Sequence, residues 1–179
     1  MRKLNLVLLT ILVHSGITQV FAQNAASNNL DKLLGKWTAV NESIRRDGSG
    51  LYDLDSALCF TVTKTLGGYG QQVDWYSTTN AKEEYSGSTL RVYSGKHNAW
   101  LSQWYDPKVG EWMDDVQFVY KEGRLILEGK MKDETGEYEV KRTHELSEDA
   151  NTYQYQHYRK YAGMSKWLLI DRFVAKRVK

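Results

Sequence analysis

The chain has 179 residues and carries 24 Lys and Arg against 22 Asp and Glu, a near balance that excludes a general nucleic-acid binder, because such proteins need a cationic excess to displace counterions. Its one cysteine, Cys59, cannot form an internal disulfide, so a packed core must hold the fold without stapling. Cys59 itself is expected to be a buried structural thiol, since no neighbour in sequence would lower its pKa.

Residues 1–22 open with Arg2 and Lys3, continue through an apolar run from Leu4 to Val13, and end in Val20-Phe21-Ala22. Charge, apolar stretch and small terminal residue are the pattern of a signal peptide cut after Ala22. The apolar run is too short for the roughly 20 residues that span a bilayer. The expected product is an exported protein, periplasmic or secreted, with no stable membrane insertion and with 22 residues of each charge sign. Residues 23–30, small and polar, should form a flexible tail, and residues 31–179 one barrel domain.

Past a single helical turn over Asn29–Leu34, the pattern changes to period two. Leu58, Phe60 and Val62 share a face, as do Val73, Trp75 and Ser77, Leu90 and Val92, and Trp100, Ser102 and Trp104. The same alternation groups Val116 with Phe118 and Tyr120, Leu125 with Leu127 and Gly129, and Tyr138 with Val140, Arg142 and His144. Asp47-Gly48, Gly67-Gly68, Asp106-Pro107, Glu122-Gly123 and Thr135-Gly136 mark tight turns between these runs. Short strands joined this way leave no room for parallel crossovers. The expectation is an all-β, antiparallel up-and-down barrel of about eight to ten strands, with a sandwich as the competing architecture.

Leu33-Leu34-Gly35-Lys36-Trp37, directly after the helical turn, resembles the Gly-x-Trp motif that opens the first strand in the calycin (lipocalin-like) superfamily. The resemblance implies that Gly35 and Trp37 form a structural motif: the tryptophan plugs one barrel end under a basic side chain of the last strand, here Arg172 or Arg177. Leu66-Gly67-Gly68 and Trp104-Tyr105-Asp106 extend the likeness to an uncharacterised family of exported bacterial lipocalin-like domains. No reaction and no catalytic residue come with it.

Small barrels are either filled by side chains or hold one ligand. Glu139, Lys141, Thr143 and Glu145 make a solvated face, which turns Tyr138, Val140, Arg142 and His144 inward. A cation and an imidazole inside a barrel suit an anionic or carbonyl-bearing group, or alternatively an internal polar network. The cavity candidates are therefore Arg142, His144, Trp75, Trp100, Trp104, Phe118 and Tyr138, and the expected partner is a small apolar or aromatic ligand. The strand Thr152–Arg159 alternates Tyr153, Tyr155, His157 and Arg159 with Gln154, Gln156 and Tyr158, and either set can face inward. The histidines share no metal-ligand spacing, so no metal or cofactor is predicted; haem held by His144 or His157 alone is the alternative. No nucleophile elbow, phosphate loop or dinucleotide fingerprint occurs. Besides a binding role, two functions fit: an isomerase- or cyclase-type enzyme using the cavity, and an interaction domain with a filled barrel presenting Tyr76, Tyr93 and Tyr105.

Overall fold

A computed structural model describes residues 30–45, 49–79 and 82–179; the expected signal peptide, residues 23–29 of the expected tail and the expected Asp47-Gly48 turn lie outside the described residues. A 3₁₀ turn, Asp31–Leu33, falls within the single helical turn expected over Asn29–Leu34 and leads directly into the first of ten strands. These are β1 (Gly35–Ile44), β2 (Tyr52–Thr65), β3 (Gly70–Thr79), β4 (Lys82–Ser94) and β5 (Ala99–Asp106). There follow β6 (Glu111–Lys121), β7 (Arg124–Asp133), β8 (Gly136–Leu146), β9 (Thr152–Tyr161) and β10 (Leu168–Arg177). Each pairs antiparallel with the next, and β1 pairs with β10. The sheet is thus a closed up-and-down barrel.

Closure satisfies both outer edges of the meander, which would otherwise leave rows of unpaired backbone groups. The interior is graded along the axis. At the end where β1 begins, Leu30, Leu33, Trp37, Phe60, Leu125 and Tyr153 are all buried. Trp37 stacks at 6.1 Å on Phe60, and its Nε1 donates to the Leu33 carbonyl at 2.8 Å, which ties the 3₁₀ turn across the barrel floor. Gln71 Nε2 donates to the Leu30 carbonyl at 2.6 Å and fixes the start of that turn.

The basic cover on Trp37 is Arg177. Register sets Trp37 opposite Arg177 across β1 and β10, so their side chains share the interior face. The Arg177 guanidinium lies 4.3 Å from the indole centroid and donates to the Leu34, Ala150 and Lys32 carbonyls. Gly35 makes room for it: φ is +119°, and a Cβ would stand 3.0 Å from Arg177 Nη1. Arg172, the other candidate, points outward and pairs with Glu42 at 2.7 Å.

Toward the opposite end the ladders are interrupted by register shifts at Ala39/Asn41, Trp75/Tyr76, Ser102/Trp104 and Leu169/Asp171. Such bulges bend strands and widen a barrel locally. β6 and β7 diverge further, being in register only at Val119–Ile126, Tyr120–Leu125 and Lys121–Arg124. Cys59 is buried, its Sγ 4.0 Å from Thr78 Oγ1, as the structural reading expected.

Candidate functional site

Above the packed floor the interior opens into a cavity of about 520 Å³. Alternation on β3, β5 and β6 brings Trp75, Trp104 and Phe118 to its wall, and β9 and β10 add Tyr155 and Phe173. The rings fix one another. Trp75 meets Phe173 edge-on at 5.5 Å and donates from Nε1 to Thr89 Oγ1 at 3.1 Å; Tyr155 stacks on Phe173 at 5.3 Å. Trp104 reaches the wall because Gly87, at φ +150°, has no Cβ: one built there would stand 2.3 Å from the indole.

The polar groups of the lining are Arg91, Arg142, His144 and Asp171, with Asn41, Thr89 and Ser102. Tyr153, Tyr155, His157 and Arg159 form the inward set of β9, which resolves the choice the sequence leaves open: Tyr153 and His157 are buried and Tyr155 lines the cavity. Of the seven cavity candidates, Arg142, His144, Trp75, Trp104 and Phe118 line the space. Trp100 and Tyr138 are buried elsewhere. Trp100 packs edge-on against Tyr93 at 5.7 Å, and Tyr138 lies under the Arg159 guanidinium at 4.5 Å.

His144 is held by its neighbours in an uncharged state. Burial drives its pKa well below the ordinary value, and the nearby Arg91 and Arg142 charges push the same way. Its Nδ1 lies 2.7 Å from the Tyr153 hydroxyl, while Arg91 Nη2 donates to that hydroxyl at 3.4 Å. The assignment satisfying both contacts has Tyr153 donating to Nδ1, leaving the ring proton on Nε2. His157 is also lowered, mainly by burial, although Asp171 at 3.5 Å opposes the shift. A smaller hollow of about 200 Å³ at the closed end, lined in part by Tyr153, shares His144 with the main cavity.

Arg91 is the residue the sequence pattern hides. It is 3 % exposed, lines the cavity, and extends from β4 to Tyr153 on β9. Its Nε and Nη1 are buried with no hydrogen-bond partner, and among the described residues no carboxylate is within ion-pair distance of it. Leu90 and Val92 suggest an apolar face with the arginine turned to water; in the structure Thr89 and Arg91 face inward and the apolar pair lies half-buried on the other side. Among the described residues, no group of three His, Cys, Asp or Glu is placed to hold a metal ion. No family model matches the chain, and no curated protein matches it in sequence.

Proposed function

We propose that this is an exported, calycin-like binding protein that takes a small, largely apolar molecule into the barrel interior. The supporting observation is the cavity of about 520 Å³ between five aromatic side chains, above a floor sealed by Trp37. Natural interiors are packed to near crystal density, so a hollow of this size walled by rings is a place kept for something. Arg142 and His144 supply polar contacts at its lining. The filled-barrel interaction domain does not describe this interior.

Titration with the neutral fluorophore N-phenyl-1-naphthylamine tests the reading, because Trp75 and Trp104 in the wall report on occupancy by energy transfer. Saturable transfer, weakened when Trp75→Phe and Trp104→Phe remove the two wall donors, is the expected result. Linear, unsaturable signal with wild-type protein would overturn it. Export is checked separately by N-terminal sequencing of the protein recovered from expressing cells, which should begin at Gln23.

A second reading, an isomerase- or cyclase-type enzyme, draws on the contact between neutral His144 and Tyr153. Such an imidazole can exchange protons through its free nitrogen. The two readings part on turnover: a ligand recovered chemically unchanged after long incubation supports binding alone.

A further inference from the structure

We propose that the ligand is a carboxylic acid, seated with its carboxylate on Arg91 at the closed end of the cavity and its apolar body between Trp75, Trp104 and Phe173. This rests on the cavity-binding reading above and names the chemistry of its occupant.

The inference begins with charge. A guanidinium cannot shed its proton, so a buried arginine needs an anion or a full set of acceptors nearby. Arg91 has one described partner, the neutral Tyr153 hydroxyl at 3.4 Å, near the long limit of a hydrogen bond, and two of its nitrogens have none. His144 cannot serve as the counter-charge. Its Nδ1 is engaged by Tyr153, and an imidazole is neutral or positive, never negative. A ligand carboxylate supplies both what the guanidinium lacks: negative charge and a pair of planar acceptors that match its fork.

Asp171 sets the direction. It lines the same cavity from β10, nearer the end where that strand begins, and its buried Oδ1 has no hydrogen-bond partner. A carboxylate placed beside it would be repelled, whereas one at Arg91 is attracted. Arg142 also lines the cavity, but register sets it opposite His157, which in turn faces Asp171, so Arg91 is the cation nearest the floor, and an acid group seated there leaves the apolar body among the rings. A dianion or a phosphate monoester fits less well, because the aromatic lining offers its further charge few donors.

Calorimetric titration of the purified protein at pH 7.5 with 2-naphthoic acid, methyl 2-naphthoate and 2-methylnaphthalene separates the terms, since all three share one ring system. The acid should bind at least tenfold more tightly than the ester and the hydrocarbon. Arg91→Met should abolish that preference, and Arg91→Lys should retain part of it. Equal affinities for acid and ester in the wild-type protein would overturn the carboxylate assignment and leave cavity binding standing. Failure of all three to bind would overturn both. Should Arg91→Met not fold, the wild-type series and Arg91→Lys still decide, because a preference unaffected by Arg91→Lys would place the anion elsewhere.

Discussion

At the scale of single residues, two arginines on β10 show how register decides what a charge contributes. Arg177 faces the interior, lies on the Trp37 ring and donates to three backbone carbonyls, whereas Arg172 faces water beside Glu42. Hydrogen bonds from an ionised donor to otherwise unmet carbonyls, with a cation–π contact, predict a loss of about 2–4 kcal/mol for Arg177→Gln. A half-exposed surface pair predicts less than about 1 kcal/mol for Arg172→Gln. Urea denaturation of both variants measures the contrast. His144 gives a pH signature. Its folded pKa lies well below 6.5, so between the two values the unfolded chain binds the extra proton and stability falls as pH drops. Stability should be full above about pH 7.5 and decline progressively below 6.5, with His157 adding in the same sense. His144→Gln should flatten the decline between pH 7.5 and 5 in denaturant titrations; an unchanged slope would show that this imidazole is not kept neutral by burial. Asp149, held at about 2 by Ser147 and Asn151, works at lower pH: its contribution is present above 3.8 and fades as pH falls toward 2.

At the scale of elements, the barrel was largely legible because seven runs alternate cleanly and each inward run meets a core or cavity. Period-two reading assigns the apolar set to the inside, which holds for a filled interior; β4 borders a cavity, and there the inside takes Thr89 and Arg91 while Leu90 and Val92 stay outside. β9 offered rings on both faces, so composition could not choose between them. Trp37 and Gly35 were readable as a motif, yet selecting Arg177 over Arg172 required the β1–β10 register. Nothing in local sequence shows that Gly87 governs Trp104, because that contact joins neighbouring strands. Its consequence is testable: Gly87→Ala places a methyl within the indole's volume at a backbone angle that L residues avoid. About 1–3 kcal/mol of destabilisation is expected, with a changed near-ultraviolet dichroism as Trp104 leaves the wall. Gly129→Ala, where a Cβ meets nothing within 4 Å, is the matched control and should leave that spectrum unaltered.

At the scale of the whole molecule, the barrel is closed in topology but unevenly sealed. The β6–β7 ladder has three register pairs and β7–β8 has ten, although β6 and β7 are of ordinary length. Beyond Val119 on one strand and Ile126 on the other, the facing backbone groups lack each other, and Val116 and Phe118 beside this stretch line the cavity. A break in the ladder next to an internal hollow is the place where the wall opens at least cost, since few hydrogen bonds must be broken there. Seam-facing amides of residues 116–118 and 127–131 should therefore exchange with deuterium at least about a hundredfold faster than those joining β8 to β9, a difference of about 2.7 kcal/mol in local opening. Binding of 2-naphthoic acid should slow this exchange more than that of the β1–β10 seam, which the Arg177 cover already holds. Uniform protection around all ten strands would show instead that the wall opens nowhere in particular, and access to Arg91 would then have to run through the hairpin end.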